Sequence, residues 1–472
     1  MQNTKQAYYP YYFILITAAL LAAVSFFRVH GFHDPSGGDG YFYLKQTEWL
    51  ISHGQFYHAD YSFLFLPLAI LTKLTGSSLM AYQLLSCVNL LLILMAVGFF
   101  SLISFSSFKS YQQVLLAVAL LVAFSFQMPV QRLSVEFIKN GFAFGLLLIG
   151  IALLQKKYLK TALVLIAMGA LTHKLVALLV ALGLFTFIFQ RKNINKRFLI
   201  LTAVAASILL AANPRLLKHA ANFFDLISIE KMDSLFSPNS HLIWSHVALI
   251  FFWLIVFVIQ IKKINRSHNL PDYQKTTFLT LFVFAVMPLI PVFAGSNAEI
   301  KWRLMISSFC FSFVLFLAAL TFLTNKKVIL STIAISLILM SYEAKNISGY
   351  PWISPISYQL ENAEALTAYV KAGEELIAHH GIEFYIDYKT TIRAKSLLTP
   401  GQPPKYQVAY IPKFFLLSPD LADAINQIKL MQVGPEYGLF YYADFQELLK
   451  NNVVLKHWKN VFKIRPEFVQ SY

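Results

Sequence analysis

The chain has 472 residues, of which 57% are hydrophobic and only 13% are charged. Soluble domains are about one quarter charged, so this composition argues against a soluble protein and predicts an integral membrane protein. The net charge of +16 does not indicate a nucleic-acid partner, because many basic residues lie in short loops between apolar segments. Both cysteines fall inside apolar segments and predict neither a disulfide framework nor a metal site.

Apolar segments long enough to cross about 30 Å of hydrocarbon recur along the chain. Four basic loops separate some of them, and the positive-inside rule predicts that these loops face the cytoplasm. They are the loops 155–160, 190–197, 261–268 and 324–327.

If all four basic loops share one side, an even number of spans separates each pair. This parity predicts that the apolar segment 161–189 breaks at Thr172-His173-Lys174 into two spans. It also predicts that the shorter segment 62–76 is re-entrant or lies in the interface. The eleven predicted spans are approximately 11–28, 80–105, 114–130, 140–154, 161–172, 174–189, 198–213, 242–260, 277–293, 303–323 and 327–343.

The same parity places the N-terminus in the cytoplasm, and the first span is predicted to be retained and not cleaved as a signal peptide. We therefore expect a protein of the inner or plasma membrane, with a transmembrane domain over 1–343 and an extracytoplasmic domain over 344–472. The predicted external segments are 29–61, 131–139, 213–241, 294–302 and the tail from about residue 344.

The tail is predicted to be a small α/β or α+β domain, because helical and strand patterns alternate along it. We expect helices over 363–380 and 420–429, and strands over 382–387, 406–411 and 437–443.

The first external segment contains the stretch "HDPSGGDGYFYLKQTEWLISHG", which places Asp34 and Asp39 among glycines. The residues after Asp39 have apolar side chains at helical spacing, including Tyr41, which predicts a helix lying along the interface. A carboxylate in such a loop can activate a nucleophile or hold a divalent ion. The alternative is a solvated loop in which one aspartate caps the helix that follows.

This arrangement resembles the GT-C superfamily of membrane glycosyltransferases, which use polyprenyl-phosphate-linked sugars and include protein O-mannosyltransferases and aminoarabinose transferases. The resemblance lies in one outward span followed by "GDGYFYL" (38–44), in the Y-x-x-x-x-x-P-L segment from Tyr61 to Leu68, and in Gly76 ahead of the next span. It covers about residues 1–190. It implies a polytopic helical fold and an active site on the external side.

The resemblance also implies roles for two acidic residues. Asp39 matches the acidic residue that acts as catalytic base or positions the acceptor, and Asp34 and Tyr41 are further candidates in the same loop. Glu136 matches a second acidic position in the next external loop, although the superfamily more often has Asp there. A divalent metal, Mg or Mn, would be held by Asp39 and Glu136 if one is used.

Basic residues predicted to lie on the external side are candidates to bind the donor phosphate. The alternatives are snorkelling to lipid headgroups or, at the predicted break, a polar turn. The candidates are Arg132, Lys139, His173, Lys174, Lys301 and Arg303.

These features predict a glycosyltransferase that moves a sugar from a polyprenyl-phosphate-linked donor to a lipid, glycan or protein acceptor outside the membrane. One alternative is a polysaccharide polymerase of the EpsG or Wzy kind, to which the segment 138–180, with basic residues along its spans and a terminal histidine, is similar. Another is a lipid or sugar transporter or flippase, although broken helices in both halves, which transporters show, are not evident. A third alternative is an anchoring protein whose external tail binds a partner, but this would leave the acidic loop without a role.

Overall fold

The structure is a computed structural model that describes only part of the chain. The described residues are 2–30, 34–35, 39–58, 60–156, 158–190, 241–267, 270–286, 289, 298–344, 362–371, 373–378, 380–395, 403–411, 418–434 and 436–452. The predicted span 198–213 and nearly all of the predicted external loop 213–241 lie outside these residues.

The described part of the chain forms two compact units. The first unit contains Met1–Val29, Asp60–Ile70 and Gln83–Tyr350, and the second contains His30–Ala59, Leu71–Tyr82 and Pro351–Tyr472. The second unit thus combines the stretch around Asp39 with the C-terminal residues. The predicted domain boundary near residue 343 stays a prediction.

All secondary-structure elements described in the first unit are helices. In chain order, the helices as far as residue 344 are α1 (Gln2–His30), α2 (Gly40–His53), α3 (Phe65–Thr75), α4 (Ser78–Ser104), α5 (Ser110–Ser125), α6 (Met128–Val135), α7 (Ile138–Gln155), α8 (Leu159–Thr172), α9 (Lys174–Gln190), α10 (His241–Arg266), α11 (Asp272–Val286), α12 (Ala298–Leu320) and α13 (Lys326–Ala344). Of these, α2 belongs to the second unit, and α3 and α4 begin or end in it.

Four described helices are long and apolar enough to cross a membrane, and a bent pair of helices raises that number to five. The predicted number of spans, eleven, is larger than this. One predicted span, 198–213, lies outside the described residues, and Leu159–Thr172 is a helix of 14 residues, which is short for about 30 Å of hydrocarbon.

The bent pair consists of α5 and α6, whose axes differ by 69°. Gln127 is extended and Pro129 stands in the first turn of α6, where the missing proline N–H costs nothing. The predicted span over 114–130 therefore contains this bend, in a pair of helices that is a broken span or a re-entrant loop. Most of the predicted external loop 131–139 is helical as well, because α6 continues to Val135.

The predicted break at Thr172-His173-Lys174 is confirmed. Helix α8 ends at Thr172, His173 is extended with φ −143° and ψ 132°, and α9 begins at Lys174.

Small residues bring α7 and α8 together in the first unit. A Cβ on Gly150 would lie 2.6 Å from the Ile166 side chain, and one on Gly169 would lie 2.9 Å from the Ala143 carbonyl oxygen. Only glycine allows helices to approach this closely. In the same core, Trp253 of α10 is fully buried and donates a hydrogen bond of 2.9 Å to Ser336 of α13.

The second unit contains a five-stranded mixed sheet with strand order β2-β1-β3-β5-β4. The remaining elements are a 3-10 helix (Glu364–Ala368), β1 (Leu376–Ile377), α14 (His380–Lys389), β2 (Ala394–Lys395), β3 (Tyr406–Tyr410), α15 (Pro419–Ile428), β4 (Lys429–Gly434), β5 (Tyr437–Tyr441) and α16 (Tyr442–Asn451). Strands β2, β1 and β3 pair in parallel, whereas β5 pairs antiparallel with β3 and β4.

Three of the five elements predicted for the tail are confirmed, and two are wrong. The predicted strands at 406–411 and 437–443 and the predicted helix at 420–429 correspond to β3, β5 and α15. The predicted strand at 382–387 is part of helix α14, and the predicted helix at 363–380 corresponds, among the described residues, to the short 3-10 helix, β1 and the first residue of α14. Because β1 and β2 are parallel, the chain between them needs a crossover connection, and α14 is that crossover.

Candidate functional site

Arg132 and Glu136 form a two-pronged ion pair at the turn between α6 and α7. Arg132 Nε lies 2.6 Å from Glu136 Oε2, and Nη2 lies 2.8 Å from Oε1. Their side chains are 9% and 14% exposed, and the guanidinium also lies 4.9 Å from the centre of the Phe137 ring. Planar, paired contact of this kind fixes the orientation of the guanidinium.

Lys139, in the first turn of α7, makes a second ion pair in the same unit. Its ammonium lies 2.6 Å and 2.7 Å from the two carboxylate oxygens of Asp60. The sequence predicted Lys139 as a candidate but did not single out Asp60. A carboxylate partner 79 residues earlier in the chain leaves no pattern that spacing can reveal.

The residues after Asp60 reach the break between α8 and α9. Ser62 Oγ donates a hydrogen bond of 2.7 Å to the Thr172 carbonyl, and the Phe63 N–H donates one of 3.3 Å to the Leu171 carbonyl. Carbonyls at a helix end have no partner within the helix, so this segment satisfies the end of α8. It thereby connects the start of α7 with the break.

His173 lies at that break and is only 7% exposed, whereas Lys174 is exposed. The Nδ1 atom of His173 accepts a hydrogen bond of 3.2 Å from the Leu175 N–H, which places the proton of a neutral ring on Nε2. We refer to Asp60, Arg132, Glu136, Lys139 and His173 as the corner cluster. Ionisable groups in an apolar helical body are costly to bury, which makes these residues candidates for a functional site.

The residues of the corner cluster do not fit a metal centre. Both carboxylate oxygens of Glu136 accept hydrogen bonds from Arg132, and both of Asp60 accept from Lys139. Within the described ranges, no group of three or more His, Cys, Asp or Glu residues is arranged to hold a metal ion. We therefore assign no step of the chemistry to a metal.

Asp39 lies at the N-terminal boundary of α2, in the second unit, whereas Glu136 belongs to the first unit. Asp39 occupies the capping position, but its side chain makes no capping hydrogen bond to the described first turn of α2. Its carbonyl accepts a bond of 3.2 Å from the Tyr43 N–H. The alternative prediction, in which the Asp39 side chain caps α2, is therefore wrong.

Two contacts join the residues before Asp39 to the residues after it. A Cβ on Gly40 would lie 2.7 Å from the Pro35 side chain, so Pro35 packs directly on Gly40. The Tyr41 hydroxyl donates a hydrogen bond to Asp34 Oδ1. Burial and then the hydrogen bond to Asp34 raise the pKa of Tyr41 far above its ordinary value, so Tyr41 stays a donor at neutral pH.

Helix α14 packs along α2, and two residues of its last turn, Asp387 and Lys389, form ion pairs. Lys389 Nζ lies 3.0 Å from Asp34 Oδ1, and Lys45 Nζ lies 3.5 Å from Asp387 Oδ2. Tyr57 also donates to Asp387, at 3.0 Å, and burial together with Asp387 raises the pKa of Tyr57 to about 12. The sequence did not single out Asp387 or Lys389, because it predicted a strand where α14 lies.

Two predicted phosphate-binding residues cannot be placed in this way. Lys301 and Arg303 lie in the described helix α12, but their side chains are outside the described part of the structure.

No family model matches the chain, and no curated protein matches it. Among solved structures, the chain is similar to the Archaeoglobus fulgidus oligosaccharyltransferase, whose crystal structure is described as a complex with Zn and sulfate. The identity is 13%, the match covers 87% of this chain and 69% of that chain, and the TM-score is 0.44. A likeness this remote carries no conclusion about fold or activity.

Proposed function

We propose that the chain is a membrane glycosyltransferase of the GT-C type that transfers a sugar from a polyprenyl-phosphate-linked donor to a lipid, glycan or protein acceptor outside the membrane. The observation that supports this proposal is the corner cluster, whose cationic side chains and histidine lie at the α6–α7 turn and at the α8–α9 break of an apolar helical unit, two places that the segment 60–63 links. Buried charge in such an apolar unit suits a ligand with an apolar tail and an anionic head.

Arg132 and Lys139 are the proposed ligands of the donor phosphate. A guanidinium has five N–H donors, and the contact with Glu136 engages Nε and Nη2. This contact supports a role for Glu136 in orienting Arg132, beside the catalytic role that the family resemblance implies. Lys174, Lys301 and Arg303 remain proposed as further phosphate contacts.

Asp39 is the proposed catalytic base. The acceptor hydroxyl or amide attacks the anomeric carbon, its proton passes to the Asp39 carboxylate, and the bond from that carbon to the phosphate oxygen breaks. The polyprenyl phosphate leaves with the bonding electrons, and the proposed cationic ligands stabilise its charge. Asp39 belongs to the second unit, so its role is tested independently of the corner cluster.

The topology is also part of the proposal. Eleven spans, a cytoplasmic N-terminus and an external C-terminal domain place Asp39 outside an inner or plasma membrane. Reporter fusions at residues 109, 158, 193 and 265 test this arrangement, and an external reporter at any of these positions contradicts it.

The activity is tested in membranes with a panel of polyprenyl-phosphate sugars. We expect Asp39→Asn to lower transfer by about 100-fold or more, because general base catalysis contributes about that factor. Asp420→Asn, an exposed carboxylate in the first turn of α15, is the matched control and should leave transfer unchanged. Undiminished transfer by Asp39→Asn at normal expression contradicts the assignment.

A second candidate is a polysaccharide polymerase of the EpsG or Wzy kind. The observation that favours it is that the segment 60–63 joins Lys139 to the break at His173, through the Lys139–Asp60 ion pair and the hydrogen bonds of Ser62 and Phe63 to the end of α8. A polymerase predicts that His173→Gln abolishes chain extension while Asp39→Asn is tolerated. The glycosyltransferase proposal predicts the opposite sensitivity at Asp39.

A further inference from the structure

Lys389 is the basic residue in the last turn of the crossover helix α14, and it lies beside the stretch that contains Asp39. Its ammonium is 3.0 Å from Asp34 Oδ1 and 6.0 Å from the centre of the Tyr41 ring. Tyr41 donates to the same Asp34 oxygen. One carboxylate oxygen therefore receives a cation from α14 and a hydroxyl from α2.

The aromatic side chains of α14 hold Tyr41 in place as well. The ring of Tyr385 meets that of Tyr41 edge to face at 4.9 Å, and the ring of Tyr388 lies at 5.4 Å. Tyr41 is fully buried. Edge-to-face pairs contribute stabilisation beyond the area that they bury. The Tyr41 side chain is therefore held in one orientation.

These contacts restrict Asp39 from both sides along the chain. Asp34 and Tyr41 are joined by a hydrogen bond, and Pro35 packs on Gly40. Asp39 therefore lies in a short closed stretch whose base is anchored to α14. If the anchor is lost, the closed stretch loses the cationic contact at Asp34.

We propose that Lys389 is a positioning residue: through its contact with Asp34, it holds the Asp39 carboxylate where the acceptor is deprotonated. The C-terminal crossover helix then determines the geometry of the N-terminal loop. This inference rests on the proposed role of Asp39 as catalytic base, but its structural part can be tested without any activity.

The structural test measures how fast a cysteine at position 39 reacts with a water-soluble maleimide, in a Cys87→Ser background. Cys310, which is buried, is left in place, and the background without the residue-39 cysteine gives the blank. We expect Lys389→Met to speed labelling by about fivefold, the effect of losing one partly exposed ion pair. Lys389→Arg keeps the charge and should label at the original rate.

Lys405→Met is the matched control. Lys405 is also ion-paired with a carboxylate of the second unit, Glu374, but this pair involves neither α2 nor Asp34. Labelling should be unchanged in this variant. If Lys389→Met unfolds the unit, the exchanged pair Asp34→Lys with Lys389→Asp should restore folding and slow labelling. Equal labelling rates in Lys389→Met and the parent protein overturn the proposal.

The functional test separates this inference from the proposed function. With Asp39 intact, Lys389→Met should lower kcat for transfer about fivefold or more without changing the KM for the donor, and Lys389→Arg should restore kcat. Faster labelling with unchanged transfer supports the anchoring of the loop and overturns the role of Asp39. Unchanged labelling overturns the anchoring, whatever the transfer rate.

Discussion

The Lys139 ammonium contacts both carboxylate oxygens of Asp60, at 2.6 Å and 2.7 Å. This pair attaches the stretch before α3 to the first turn of α7. The two side chains are 19% and 22% exposed, so removing one partner leaves the other as a poorly solvated charge. Such an unbalanced charge costs more than the pair itself contributes.

Asp60→Asn is therefore expected to destabilise the protein by about 2 kcal/mol, seen as a lower unfolding temperature in detergent. Lys139→Met should have a similar effect. The double variant should lose less than the sum of the two single variants, because the uncompensated charge is gone. Strict additivity would show that the pair is not coupled.

Arg132→Lys tests whether the paired geometry matters more than the charge. Lysine keeps one positive charge but cannot make the parallel Nε and Nη2 contacts with Glu136. We expect a loss of transfer of about tenfold or more, because the side chain proposed to bind the donor phosphate is no longer oriented. Membrane transfer assays measure this, with Lys275→Arg in α11 as a control; full activity of Arg132→Lys would argue against a phosphate site at Arg132.

Gly141→Ala tests the packing between α6 and α7. A Cβ at this position would lie 2.0 Å from the Leu133 carbonyl oxygen, so two backbones would have to separate. We expect a loss of about 3 kcal/mol of stability and a loss of transfer.

Gly183→Ala in α9 is the control for this packing test, since its nearest neighbours would be at 3.7 Å and 3.8 Å on Thr280. It should be neutral or slightly stabilising, because alanine favours helix. Equal unfolding temperatures for the two variants would contradict the close approach at Gly141.

Alkaline pH is expected to destabilise the second unit through Tyr57, which is half-buried. The pKa of Tyr57 rises from its ordinary value of 10.0 to about 12, so between these pH values the folded state holds a proton that the unfolded state has lost. Stability is then unaffected below about pH 10 and falls between pH 10 and 12.

Tyr57→Phe removes this contribution, so the unfolding temperature should fall less between pH 9 and pH 11 than it does in the parent protein. Tyr369→Phe, at a 43% exposed side chain, serves as the control. A fall in Tyr57→Phe as large as in the parent would rule out Tyr57 as a source of the pH dependence.

The sequence predicted the features that depend only on residues close together along the chain. The break at His173 follows from polar residues inside an apolar segment, and helix α2 follows from apolar spacing after Asp39. Strands β3 and β5 follow from runs of apolar and aromatic residues. Each of these is determined by composition within a few residues.

The features that the sequence missed depend on partners far along the chain. Helix α14 is buried on more than one side, against the sheet and α2, so Ile382, Phe384, Tyr385 and Ile386 are all buried and show no helical period. Such a run has the composition of a strand. The parallel pairing of β1 and β2, which requires a helix there, joins strands of two residues each and has no evident sequence pattern.

The candidate site divides in the same way. Arg132 and Lys139 were identifiable because positive charge is otherwise sparse in the loops predicted to be external, and Glu136 was identifiable because it matches an acidic position in the family resemblance. Asp60 and Lys389 were not, since each is identified only by the side chain that it contacts.

The crossover helix α14 also has an evolutionary consequence. Its contacts join residues 41–48 to residues 385–389, more than three hundred positions apart. A change of charge or ring size on α2 would need a compensating change on α14. Among diverging homologues, these two stretches should therefore drift in concert, and a chimaera that takes them from different parents should lose its N-terminal loop geometry before its helical body fails.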